Sequence, residues 1–119
     1  MGVDQLKASV SAGGSYTLVV LAGESDMNTR QMLRGVLERA MSQPARHLVI
    51  DLSGLEFIDS ATVHVLMDVQ RTFAGDGGRM SFVAPHPLIT RVLSLTGTDQ
   101  VVPVYPDLGA ALDAPDGAP

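Results

Sequence analysis

The sharpest contrast between apolar and polar positions lies in RHLVIDLSGLEFIDSATVHVLMDVQRTF, from Arg46 to Phe73. Leu48, Val49 and Ile50 form a branched apolar run, a polar turn follows, and then comes the apolar pair Phe57 and Ile58. At Asp59-Ser60-Ala61-Thr62 the period changes. From Val63 the apolar residues fall at 63, 66, 67, 69 and 73, the spacing of one helix face and not the alternation of a half-exposed strand. The segment predicts a strand turning into a helix. Asp59 is its N-cap, because a carboxylate there accepts from the free N–H groups of the first turn at the positive end of the dipole. Ser60, Ala61 and Thr62 then form that turn at the rim of a sheet, where α/β proteins usually place function.

The same reading extends along the chain. Lys7 to Val10 predicts a short strand, Gly13-Gly14 a turn, and Tyr16 to Ala22 a stronger strand, so the N-terminus is expected to be a hairpin. Asn28 with Gln31 resembles a capping box for a helix with apolar residues at 33, 36, 37 and 40. Arg34, Glu38 and Arg39 occupy its other face, and it should end near Ser42, before Pro44. Gly75-Asp76-Gly77-Gly78 stops the central helix. A strand at Met80 to Ala84, a helix at Leu88 to Leu95 closed by Gly97, a strand at Val101 to Val104 and a turn of helix from Leu108 to Leu112 capped by Asp107 complete the pattern. The prediction is an α/β fold: a mixed sheet of about five strands, a hairpin and then parallel strands joined by right-handed crossovers, with three to four helices. A single domain is expected over residues 1–113, with a disordered tail at 114–119.

Composition narrows the function more than the fold. The chain has a net charge of −5 and eight scattered basic residues, which argues against a nucleic-acid backbone or an anionic membrane surface as partner. Five aromatics without a tryptophan offer no platform for stacking bases. With no cysteine there is no disulfide, thiol switch or cysteine zinc site. No apolar run approaches the roughly 20 residues of a membrane span, and the N-terminus lacks the apolar core of a signal peptide, so a cytoplasmic protein intact at its start is expected.

Several constellations invite chemistry. Ser60, His64 and Asp68 share one helical face at i, i+4 and i+8, as a serine triad would require. The sequence supplies no G-x-S-x-G elbow to present the nucleophile and frame an oxyanion hole, so a solvated face with a cap at its start fits better. His47, His64 and His86 lack metal spacing, and Gly75 to Gly78 is not followed by the Lys-Ser or Lys-Thr of a phosphate loop. No enzyme activity, cofactor or metal is expected. Glu24, Asp26, Glu56 and Asp59 all leave strands or precede helices; they could gather at one rim as an acidic patch, or serve only as surface acids that keep a protein of this pI soluble.

Taken in order, these segments resemble the STAS domain, and within it the bacterial anti-sigma factor antagonists. Gly23-Glu24-Ser25-Asp26 with Thr29 and Leu33 resembles the family's G-E-L-D-x-x-T-x-x-x-L. Val49-Ile50-Asp51-Leu52-Ser53 is similar to its V-x-D-L-S strand, and Phe57-Ile58-Asp59-Ser60 to F-[ILM]-D-S. Phe82-Val83 and the run Arg91 to Gly97 carry the similarity onward, so it covers residues 6 to 112. The resemblance implies the STAS fold and a binding module that does no chemistry; its oligomeric state, monomer or weak dimer, is left open by the sequence. Its implied partner is an anti-sigma factor of the ATP-binding serine-kinase type, whose capture frees a sigma factor to direct transcription. On this reading the expected docking surface is the rim of the sheet, with Glu24, Asp26, Asn28, Asp59, Ser60, Ala61, Thr62 and Val63 as its partner-binding residues.

In the family, the kinase phosphorylates the second residue after the Asp. Here that residue is Ala61, in Asp59-Ser60-Ala61-Thr62 where the family has D-S-S-G or D-S-T-G. Three readings stay open: a constitutively active antagonist, phosphorylation moved to Ser60 or Thr62, or a STAS subunit of another assembly, such as a lipid ABC transporter or a stress-signalling complex. A response-regulator receiver shares the fold class, but it needs an acidic pair after its first strand and a late lysine, and the chain's only lysine is Lys7.

Overall fold

The structure, a computed structural model, describes residues 5–114. The expected disordered tail lies, from residue 115 on, outside the described residues. Strands β1 (Leu6–Gly13) and β2 (Tyr16–Ser25) form the expected antiparallel hairpin. A 3-10 turn at Met27–Thr29 leads into α1 (Arg30–Met41), and β3 (His47–Ile58) then runs into α2 (Ser60–Gly75). There follow β4 (Arg79–Val83), α3 (Pro87–Leu95), β5 (Val104–Tyr105) and α4 (Leu108–Asp113). The sheet order is β1-β2-β3-β4-β5, and every pair after the hairpin is parallel. Each parallel pair needs a long crossover, and α1, α2 and α3 supply the three.

Alternation along β3 sorts the core onto two faces. Leu48, Ile50 and Leu52 point into the main core, where they meet Leu33 and Leu37 of α1, Leu66 and Phe73 of α2, and Leu93 of α3. Val49 points the other way, into a smaller cluster with Val83 and Ala111 of α4. Three helices therefore cover one face, and α4 covers part of the other. The helix period read from the sequence holds: Leu33, Val36, Leu37 and Ala40 are the buried residues of α1, and Val63, Leu66, Val69 and Phe73 are among those of α2.

Four local expectations change. The first strand extends to Gly13, because pairing with β2 carries it past the apolar residues. The polar turn expected after Ile50 is not a turn. β3 continues through it to Ile58 and gains a residue on β2 twice: Val20 pairs with Asp51 but Ala22 with Gly54, then Gly23 with Leu55 but Glu24 with Phe57. The Asp51 carboxylate accepts from both the N–H and the hydroxyl of Ser53, satisfying polar groups that read locally as a turn. The capping box is formed by Asp26 and Thr29 and not by Asn28 and Gln31, so the chain turns helical two residues earlier. The last strand is Val104–Tyr105, after a 3-10 turn at Thr98–Gln100; Val102 is buried without joining the sheet.

Gly23 is the glycine the hairpin cannot do without. Its φ is +95°, and a Cβ there would sit 2.1 Å from the Gln5 carbonyl oxygen, which accepts from the Glu24 N–H at 2.6 Å.

Candidate functional site

Parallel strands β2 and β3 end level with each other, Ser25 opposite Ile58, so the chain leaves the sheet twice at one corner. Each exit begins with an aspartate. Asp26 Oδ1 accepts from the Asn28 N–H at 2.9 Å, and the Thr29 hydroxyl receives the Asp26 N–H at 3.0 Å. Asp59 Oδ1 accepts from the Thr62 N–H at 3.0 Å, as an N-cap should. Its second oxygen does something the local sequence does not announce: Asp59 Oδ2 accepts from the Met27 N–H at 3.2 Å, 32 positions away in the chain. One carboxylate thus caps α2 and fastens the loop before α1 to it.

A second tie lies beneath. The Thr62 hydroxyl donates to Ser25 Oγ at 2.7 Å, and both residues are fully buried. This corrects the expected surface. Thr62 and Val63 are withdrawn into the protein, Thr62 because its hydroxyl serves the corner and Val63 because it belongs to the core face of α2. A kinase cannot reach the Thr62 hydroxyl in this conformation. What the corner shows to solvent is Glu24, Met27, Asn28 and Ser60, with Ala61, Asp26 and Asp59 half-buried.

The acidic patch does not assemble. Asp26 and Asp59 face backbone N–H donors, while Glu56 lines a separate hollow with His86 and Leu88. The side chains beside the corner carry the opposite sign. Between α1 and α2 runs an open groove of about 650 Å3, floored by Ala61 and Val65 and flanked by Met27, Arg30, Arg34 and His64. Arg30 and Arg34 are four residues apart and so share a face of α1. That spacing was the signal in the sequence, masked by placing Arg34 on the outer face of the helix.

Arg34 Nη2 donates to Asp68 Oδ2 at 3.1 Å, tying α1 to α2 across this groove. Arg71 donates to the other oxygen, and His64 Nε2 lies 3.6 Å from Oδ2. The Arg34 hydrogen bond holds the Asp68 carboxyl below its ordinary value; desolvation, the next largest effect, opposes it, and the electrostatic effects of His64, Arg71 and Arg34 each add a smaller lowering. His64 and Asp68 do come together, but Asp68 is gripped by two arginines and is not positioning a histidine toward Ser60. Among the described residues, no group of three His, Asp or Glu side chains is arranged to hold a metal ion, and no helix is long and apolar enough to cross a membrane.

The chain is 31% identical to an anti-sigma factor antagonist from Mycobacterium paratuberculosis, whose crystal structure superposes with a TM-score of 0.84 over 92% of this chain and 93% of that one. It is 29% identical to the anti-sigma F factor antagonist of Paenibacillus polymyxa over 89 residues, 74% of this chain and 76% of the relative. The anti-sigma factor antagonist SpoIIAA in its unphosphorylated form, 18% identical over 90% of this chain and 94% of that one, shares the fold at a TM-score of 0.75. The family model described as Mlab, STAS domain matches residues 8–103, most of the length, and the chain therefore belongs to the STAS-domain family.

Proposed function

We propose that this chain is an anti-sigma factor antagonist: it binds an anti-sigma factor of the ATP-binding serine-kinase type and so frees the sigma factor held by that partner. The names of its relatives support the general role. The observation that carries the docking site is the stapled corner, where Asp59 fixes two loops at once and leaves Ser60 exposed beside the half-buried Ala61 on the groove floor. A corner already ordered before it meets a partner loses little conformational entropy on binding.

At Ala61 there is no hydroxyl to phosphorylate, and the neighbouring Thr62 is buried. In this reading the antagonist stays competent without a phosphatase unless the exposed Ser60 hydroxyl takes over the phosphoacceptor role. A phosphate would add about −1.5 to −2 charge at such a contact. Ala61→Glu imitates that charge.

The test is affinity purification of the tagged chain from its native cells, with the bound proteins identified by mass spectrometry. A histidine-kinase-like ATPase should be recovered with the wild type and lost with Ala61→Glu. Recovery of a transporter ATPase in its place, or equal recovery by the variant, overturns the proposal.

A further inference from the structure

We propose that the groove between α1 and α2 selects an acidic, partly apolar segment of its protein partner. This rests on the docking reading above and adds the sign of charge that the partner must carry. The molecule as a whole has a net charge of −5, yet the groove gathers the guanidinium groups of Arg30 and Arg34 against Asp68, the single carboxylate that lines it. That carboxylate is already shared between Arg34 and Arg71, so guanidinium exceeds carboxylate along the whole cluster. Arg30 is exposed at the start of α1, so its guanidinium is open to an incoming anion, and the ring of His64, 77% exposed, is open to a hydrogen-bonding group. Between them lie Met27, 62% exposed, and the short side chain of Ala61, which suit an apolar residue set between acidic ones.

A nucleic acid fits this groove poorly. The surrounding negative charge repels phosphates, and no aromatic ring lines the groove to stack on a base. A protein segment with a few carboxylates needs neither. Exposed ion pairs are individually weak, so the arrangement acts mainly by steering and by rejecting basic partners.

The experiment is an NMR titration of the isotope-labelled full chain with two synthetic helical peptides. They share the same Leu and Ala positions and differ only in carrying Glu or Lys at the polar ones. The Glu peptide should shift the amides of Gln31, Arg34, Ala61 and His64, weaken as salt is raised, and bind about fivefold less tightly to Arg30→Glu. An acidic residue in the first turn of α1 suits the helix, so the variant should fold. Equal response to the Lys peptide, no response to either, or undiminished binding by Arg30→Glu overturns the inference. So does an oligonucleotide that shifts the same amides as strongly. The two proposals fail separately. An anti-sigma factor recovered from cells without any Glu-peptide response sinks the groove's preference alone; a Glu-peptide response with no anti-sigma factor recovered sinks the antagonist reading alone.

Discussion

The two ends of α2 are fixed by different means. At its C-terminal end Phe73 is 2% exposed, and its ring fills the space beside Gly78, where a Cβ would come within 2.5 Å of the ring carbons. The Arg46 guanidinium lies 4.8 Å from the ring centroid and seals that end. At the N-terminal end the fastening is directional: Asp59 caps the helix and holds Met27, and Thr62 meets Ser25 beneath. The difference bears on function. An end held by packing turns its side chains inward, whereas an end held by hydrogen bonds to backbone and buried hydroxyls can leave Ser60 and Ala61 free for another molecule. The helix is thus anchored at one end and presented at the other.

The largest effect expected is at the packed end. Phe73→Ala removes a fully enclosed ring and should lower unfolding free energy by about 3–5 kcal/mol, read by urea denaturation. A loss below about 1 kcal/mol would mean that packing is not what fixes this end. At the hydrogen-bonded end, Thr62→Val keeps the shape and leaves the Ser25 hydroxyl buried without its partner, so about 1–3 kcal/mol should be lost. Thr62→Ser, which keeps the hydroxyl, should recover most of it. If the valine variant matches the wild type, the directional account of the corner is wrong.

How much of this could be read from the chain follows from the range of the interactions. The helix faces of α1 and α2 and the cap at Asp59 depend on neighbours within a few residues, and these expectations hold in the structure. Asp107 caps α4 through the Ala110 N–H at 2.8 Å, again a contact three residues long. The bulged continuation of β3 was not legible, because Asp51, Ser53 and Gly54 are turn formers by themselves and only pairing with β2 keeps them extended. The bond from Met27 to Asp59 and that from Thr62 to Ser25 span 32 and 37 positions, so nothing nearby marks them. For that reason Thr62 was expected at the surface. The Arg34–Asp68 pair, 34 positions apart, was hidden likewise, and with it the positive sign of the groove.

Asp59→Ala tests the staple itself. Loss of the cap should lower stability by about 1 kcal/mol, less than either change above. Its signature is local: amide exchange at Met27 and Thr62 should accelerate, while the Gly78 N–H, bonded to the Phe73 carbonyl at 2.8 Å, keeps its rate. Acceleration at both ends of the helix would erase the distinction between them.

The smallest effect belongs to Asp68, midway along α2 and tied to neither end. Its carboxyl is held below the ordinary 3.8, chiefly by the hydrogen bond from Arg34. Since the folded value is the lower one, the fold favours the ionised form. Its contribution is therefore complete at pH above about 3.8 and fades as pH falls through the lowered folded value. Wild type and Asp68→Asn should differ slightly in thermal stability near neutral pH, and that difference should close on acidification below this range. Added salt should narrow the gap as well, because Arg34 and Arg71 are 41% and 70% exposed. The carboxyl carbon of Asp68, followed by NMR, reports the same ion pairs directly: titration at or above 3.8 would show that Arg34 does not bind it in solution. The ion-pair tie between α1 and α2 across the groove would then be absent, and the packing of both helices in the shared core would set the groove's width.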